Sequence, residues 1–152
     1  MIKIKRIDHV AIAVGDRDAA GARLQGLFDL AEEAREHVAD QRADVLFLGC
    51  DPGRTPVPGA EAATSIELVA PAPGAATNAG LQRFLDKRGP GLHHVCFEVE
   101  DLDEALASLK AAGVPLIDEV PRPGARGHRV AFLHPAATGG VLFELCAAGH
   151  SS

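Results

Sequence analysis

The sequence has neither tryptophan nor tyrosine, and its only aromatic residues are six phenylalanines. Stacking on nucleic-acid bases or sugar rings would therefore fall to phenylalanine, which more commonly fills a protein core. Positive charge is also scarce, because 15 basic residues face 21 acidic ones and the formal net charge is -6. No basic run is longer than a pair such as Lys5-Arg6. These deficits argue against a nucleic-acid partner.

Long apolar runs are missing as well. The run near the start, Val10–Val14, falls far short of the ~18 consecutive apolar residues that a membrane-spanning helix requires. Asp8 and His9 interrupt the segment before an apolar core of signal-peptide length develops. We therefore expect a cytoplasmic protein that is not associated with a membrane.

Cysteine is sparse and not arranged for cross-linking. The three residues, Cys50, Cys96 and Cys146, are far apart and include no CxxC pair. Neither a disulfide framework nor a zinc knuckle is predicted from this spacing. We interpret the thiols as small apolar fillers.

The chain repeats itself. Asp8–Asp16 matches His93–Asp101 at a constant offset of 85 residues, and apolar residues alternate in both segments as they do in strands. An acidic helix start and a helical spacing of apolar residues follow each segment. The length of 152 residues suits one domain, 1–152, built from two βαβββ modules at approximately residues 5–72 and 91–147.

Each module carries a histidine on its first strand and a glutamate on its last, namely His9 and Glu67, then His94 and Glu144. If the eight strands form one curved sheet, these side chains become a set of two imidazoles and two carboxylates around one cation. Such ligands suit Co, Ni, Mn, Fe or Zn, and the pattern does not choose among these metals. A lone strand histidine is more commonly a core residue, and a lone mid-strand glutamate is more commonly solvated. The recurrence of both is what predicts a metal site.

Several sequence blocks carry a more specific resemblance. They are Ile7–Val14, Ile66–Leu68, Phe84–Lys87, Gly91–Val95, Pro123–Gly127, Val130–Pro135 and Gly139–Leu145. In these blocks the chain resembles the vicinal oxygen chelate (glyoxalase/bleomycin resistance/dioxygenase) superfamily, and within it the methylmalonyl-CoA epimerases. The resemblance implies an α+β fold, in which two βαβββ modules form a cupped eight-stranded mixed sheet around a metal cleft. It also implies a homodimer.

The activity implied by this resemblance is metal-dependent interconversion of (R)- and (S)-methylmalonyl-CoA. A proton at carbon 2 would leave and return through a metal-stabilised enolate. Glu144 would act on one face of this carbon and Asp40 on the other. The family has a Glu-Gln-Gly turn where this chain has Asp40-Gln41-Arg42, so the acid here is one methylene shorter. Glu36 and Gln41 are the alternatives to Asp40.

The substrate implied by the resemblance is an acyl-CoA, whose phosphates require cationic partners. Arg122, Arg126 and Arg129, together with His128, form a basic cluster near the expected cleft rim. We expect the three arginines to bind the coenzyme A arm, and the competing interpretation is a solvated hairpin loop. The segment Cys50–Ala62 is longer than the connection expected in epimerases, and its role stays open.

Two other functions fit parts of the pattern. Glyoxalase I (lactoylglutathione lyase) belongs to the same superfamily and uses the same ligand types, but the His93-His94 pair and the blocks above favour the epimerase. A non-catalytic, ligand-sequestering module of the same fold typically lacks metal ligands and lines its cleft with aromatic residues, which make up only 4% of this chain. An extradiol dioxygenase fits less well, because it uses a site of two histidines and one carboxylate.

Overall fold

The computed structural model describes residues 1–50, 62–74 and 77–149. Its strands are β1 Ile4–Ala13, β2 Ala31–Val38, β3 Ala43–Gly49, β4 Ser65–Pro71, β5 Gly91–Val99, β6 Arg122–Pro123, β7 His128–Phe132 and β8 Leu142–Ala148. Its helices are α1 Arg17–Leu27, α2 Ala79–Arg88 and α3 Leu102–Ala111. Apart from its two ends, the long segment Cys50–Ala62 lies outside the described residues.

The chain divides into two compact units. The N-terminal unit contains residues 9–93, and the C-terminal unit contains residues 1–8 together with the chain from His94 onward. β1 therefore passes from one unit into the other at Asp8. The single domain 1–152 with modules at 5–72 and 91–147 stays a prediction.

In the N-terminal unit the strands are adjacent in the order β2-β3-β4-β1. The pairs β2–β3 and β3–β4 are antiparallel, and β4–β1 is parallel. The Asp16 carboxylate begins α1 by accepting from the amides of Asp18 and Ala19, as an N-cap does. Gly21 lets α1 approach the sheet closely, because a Cβ there would lie 2.5 Å from Leu46 Cδ2.

The C-terminal unit repeats this plan with the order β5-β8-β7-β6. Here β5–β8 is parallel, and the pairs β8–β7 and β7–β6 are antiparallel. The Asp101 carboxylate caps α3 by accepting from the Glu104 amide. The helix packs through Leu102, Ala105 and Leu106 on a core that includes Leu145.

The predicted fold class is confirmed: the protein is α+β, with two βαβββ modules that supply the eight strands of a mixed sheet. As expected from the alternation in β1, Ile12 and Val14 contact the core beneath α1. Ala11 and Ala13, which lie on the opposite face with His9, are fully buried. None of the described helices is both long and apolar enough to span a membrane.

Candidate functional site

The predicted ligands of the N-terminal unit meet as a buried pair. His9 Nε2 lies 3.3 Å from Glu67 Oε2, and both side chains are about 6% exposed. The register places Glu67 between Ala11 on β1 and Phe47 on β3. The Phe47 ring meets the imidazole edge to face, with the ring centroids 5.3 Å apart. The strand pairing and this aromatic contact therefore fix the imidazole beside the carboxylate.

The C-terminal unit builds the same pair with the same neighbours. His94 Nε2 lies 2.9 Å from Glu144 Oε2, and both side chains are buried. The register places Glu144 between Cys96 on β5 and Phe132 on β7. The Phe132 ring meets the His94 imidazole edge to face at 5.1 Å. The duplication detected in the sequence thus extends to the geometry of each histidine–glutamate pair.

The spacing within each pair fits a divalent metal ion. Nitrogen and oxygen ligands bound at about 2.0–2.2 Å lie roughly 3 Å apart when they occupy neighbouring coordination positions. The two pairs show 3.3 and 2.9 Å between nitrogen and oxygen. Burial makes an isolated carboxylate costly unless a cation or a donor faces it. Each pair is therefore suited to supply two neighbouring ligands to a hard or borderline divalent ion.

Asp40 lies on an exposed 3₁₀ turn, Ala39–Gln41, between β2 and β3. A distant residue contacts this turn: Asn78 Nδ2 donates a hydrogen bond to the Gln41 carbonyl at 2.7 Å. Arg42 ends the turn in the left-handed region with φ 51°. That conformation favours glycine, which is the residue that the family's Glu-Gln-Gly pattern has here. The backbone therefore supports the match between Asp40-Gln41-Arg42 and the Glu-Gln-Gly turn of the family.

Replacing Arg42 by glycine is expected to stabilise the protein. A non-glycine residue in the left-handed region costs roughly 1–2 kcal/mol, and the greater unfolded-state entropy of glycine offsets about 0.5–1 kcal/mol of that relief. We expect Arg42→Gly to raise the free energy of unfolding by about 0.5 kcal/mol in urea titrations. Arg23→Gly on the exposed face of α1 is the comparison and should destabilise by about 1 kcal/mol. A loss of stability in Arg42→Gly would show that the left-handed turn is not strained.

The alternative acid, Glu36, lies on β2 and is half-buried. Ala34 pairs with Phe47, and Phe47 pairs with Glu67, so these residues share one face of the sheet. Because side chains alternate along a strand, Glu36 belongs to this face too. It therefore shares the face of the predicted ligands, whereas Asp40 lies beyond the end of β2.

Sequence reasoning missed Glu33. A register shift between Glu32 and Ala34 marks an irregularity in β2, and such bulges re-aim side chains. The Glu33 carboxylate lies over Gly49 and accepts a hydrogen bond from Ser65 Oγ at 2.5 Å. Ser65 is buried two residues before Glu67 on the same strand face. A bulge leaves no mark in the hydrophobic pattern, so nothing in the sequence distinguished Glu33 from its neighbours.

The three predicted coenzyme A ligands each engage a carboxylate. Arg129 makes a forked pair with Asp103 at 2.6 and 3.0 Å. Arg122 lies 3.3 Å from Asp118 and covers the Phe132 ring. Arg126 pairs with Asp8, a side chain that is completely buried. The exposed fractions of the arginine side chains are 37% for Arg129, 31% for Arg122 and 22% for Arg126.

Cys146 interacts with Cys96 and His128 in the C-terminal unit. Hydrogen bonds from Cys96 and His128 lower the pKa of the Cys146 thiol to about 7, against the opposing effect of burial. Burial raises the pKa of Cys96 well above its usual value. The hydrogen bond to Cys146 raises the pKa of His128 above its usual value. The expectation that these cysteines are only apolar fillers therefore omits their polar contacts.

Comparison with known proteins places the chain in a family. Residues 8–132 match the model of the Glyoxalase/Bleomycin resistance protein/Dioxygenase superfamily. The chain belongs to this superfamily. Among its curated relatives is the ethylmalonyl-CoA/methylmalonyl-CoA epimerase of Cereibacter sphaeroides, 37% identical over 93% of this chain and 97% of the relative.

Solved structures extend the similarity to the fold. The methylmalonyl-CoA epimerase of Mycobacterium tuberculosis matches 96% of this chain and 89% of its own, at 34% identity and a TM-score of 0.82. A methylmalonyl-CoA epimerase in complex with methylmalonyl-CoA and NH4+ matches 97% of both chains, at 28% identity and a TM-score of 0.84. The similarity therefore spans nearly the whole chain.

Proposed function

We propose that this protein is an epimerase that interconverts (R)- and (S)-methylmalonyl-CoA. The observation that carries the proposal is the similarity to enzymes of that name over nearly the full length of both chains. The two matched histidine–glutamate pairs add chemical support, because the reaction requires an acidic carbon to lose and regain a proton. Carbon 2 lies between a thioester and a carboxylate, so its proton can be removed to give an enolate.

His9, Glu67, His94 and Glu144 are the proposed ligands of one divalent metal ion. The support is the recurrence of the same pair, with the same phenylalanine contact, in each unit. An ion bound there would supply a Lewis acid for the thioester and carboxylate oxygens of the substrate. The donor set suits Co, Ni, Mn, Fe or Zn alike.

Glu144 and Asp40 are the proposed proton-transfer groups, one for each face of carbon 2. Inversion requires that a proton leave from one side of the planar enolate and return on the other. Glu144 is buried beside His94, among the proposed metal ligands. Asp40 is exposed on its turn, and the match of that turn to the family pattern supports its role.

Arg122, Arg126 and Arg129 are the proposed partners of the coenzyme A phosphates. Phosphate would have to compete with their carboxylate partners, and Arg129 is the most accessible of the three. Arginine suits this role because its guanidinium binds phosphate through two hydrogen bonds. We also propose a homodimer, which a sheet with exposed edges favours.

The reaction itself tests the function. The purified protein in deuterated water is expected to incorporate deuterium at carbon 2 of (S)-methylmalonyl-CoA and to produce the (R) form. The methylglyoxal–glutathione adduct should not be consumed. Consumption of that adduct without deuterium uptake into methylmalonyl-CoA would replace the epimerase with a glyoxalase I activity.

Asp40→Asn is expected to separate exchange from inversion. Without an acid on its face, the enolate would be reprotonated mainly from the Glu144 side. Exchange of one epimer should therefore continue while conversion to the other epimer falls by about 100-fold or more. Asp44→Asn, which removes the Asp44–His37 contact on the same hairpin, is the control. Wild-type inversion in Asp40→Asn would remove Asp40 from the mechanism and make Glu36→Gln the next variant.

A further inference from the structure

The two units differ at equivalent positions of their otherwise matched sheets. Superimposing the register around Glu67 on that around Glu144 equates Ala11 with Cys96 and Val69 with Cys146. It also equates Ala43 on β3 with His128 on β7. The N-terminal unit packs these three positions with plain hydrocarbon. Packing alone therefore does not require two thiols and an imidazole in the C-terminal unit.

These side chains converge with Asp8 in the C-terminal unit. Ligand atoms of Asp8, His128 and Cys146 all lie within 4.8 Å of one another, and Cys96 Sγ lies within the same distance of the Asp8 carboxylate. Cys96 and Cys146 belong to one buried cluster with Val130. Asp8, Cys96 and Cys146 are each at most 1% exposed, and His128 is half-buried. His128 is thus the member of the group nearest to solvent.

We propose that Cys96, His128, Cys146 and Asp8 form a second metal site, for a thiophilic divalent cation of the zinc class. Zinc takes four ligands from thiolates, imidazoles and carboxylates in a tetrahedron, with bonds of about 2.3 Å to sulfur and about 2.0–2.2 Å to nitrogen and oxygen. Ligand atoms in such a tetrahedron lie about 3.3–3.8 Å apart. Asp8, His128 and Cys146, whose ligand atoms lie up to 4.8 Å apart, would have to close by about an ångström on the ion, and Cys96 would join them through its proximity to Asp8.

The charges around the group are compatible with a bound cation. Asp8 accepts from Arg6 Nη2 at 2.5 Å and also pairs with Arg126, while Arg6 Nε donates to Glu98 at 2.7 Å. Lys5 also pairs with Glu98 and with Glu100. The three cations and three carboxylates of this network sum to zero. A divalent cation that displaces the protons of two thiols also adds no net charge. The arginines therefore do not leave uncompensated positive charge when the cation binds. The hydrogen bonds from the arginines to Asp8 are also compatible with ligation, because ligating carboxylates commonly accept hydrogen bonds.

The thiol site and the proposed histidine–glutamate site differ in spectroscopic signature. Cobalt(II) bound to thiolate shows intense sulfur-to-metal charge-transfer absorption in the near ultraviolet, and cobalt held by nitrogen and oxygen does not. Metal-stripped protein titrated with cobalt is expected to develop this absorption, and zinc should abolish it by displacement. Cys146→Ser is expected to remove the absorption. Cys50→Ser, which changes the exposed third thiol, is expected to keep it.

His128→Gln is the second variant, because His128 is only half-buried and its replacement leaves both core thiols in place. It is expected to weaken zinc binding at the thiol site by about 10-fold or more. Glu67→Gln should leave the charge-transfer absorption unchanged, which separates this site from the one proposed for the epimerase reaction. Absence of the absorption at saturating cobalt would overturn the proposal. Undiminished absorption in Cys146→Ser, or its loss in Cys50→Ser, would do the same.

Discussion

Glu144→Gln is expected to slow exchange of the carbon 2 hydrogen of methylmalonyl-CoA by about 100- to 10,000-fold. The amide keeps the size of the side chain but cannot take up the proton. It is also a weaker metal ligand than the carboxylate. Exchange should therefore be followed by deuterium uptake at saturating metal, with the metal content of the same sample measured in parallel.

The internal duplication supplies the matched control for this variant. Glu67→Gln removes the equivalent carboxylate, which also lies beside a buried histidine, but Glu67 has no assigned role in proton transfer. At saturating metal it should slow exchange much less than Glu144→Gln does. Equal slowing by the two variants would make Glu144 a ligand only and would require a different base.

Asp8→Asn is expected to lower the free energy of unfolding by about 3–5 kcal/mol. The Asp8 side chain is completely buried between the guanidinium groups of Arg6 and Arg126. Removing one partner from a buried ion pair leaves charge without compensation, which is far more costly than losing an exposed pair. Urea unfolding followed by circular dichroism measures the difference.

Asp103→Asn provides the exposed counterpart. Its carboxylate pairs with Arg129, and the Asp103 side chain is 61% exposed. Such pairs contribute about 0–1 kcal/mol, so the loss should stay below about 1 kcal/mol. If both variants lost equally little stability, the Asp8 cluster would contribute no more than a surface ion pair.

Much of the fold could be predicted from the sequence because the second module repeats the first. Strands followed by helices were predicted from the alternation around His9 and His94 and from the capping acids Asp16 and Asp101. The structure contains these elements. Local patterns of this kind persist in the structure because each one records a single face or a single cap.

Features that depend on strand pairing could not be predicted from the sequence. Phe47 and Phe132 lie against the two imidazoles only because antiparallel partners place them beside Glu67 and Glu144. The bulge that turns Glu33 toward Ser65 changes no hydrophobic period. Pairing also unites Cys96 and Cys146, which taken singly look like ordinary small core residues. Whether all four predicted ligands bind one ion stays a prediction.

The ion pair between Asp8 and Arg126 has a consequence for dissecting the polypeptide. Cutting within the linker that precedes α2 would leave the later fragment without Arg6 and Asp8, although both contribute to its compact unit. A peptide spanning the first strand, added in trans, should restore order to that fragment. Gene-splitting or permutation designs should therefore carry this strand with the later half.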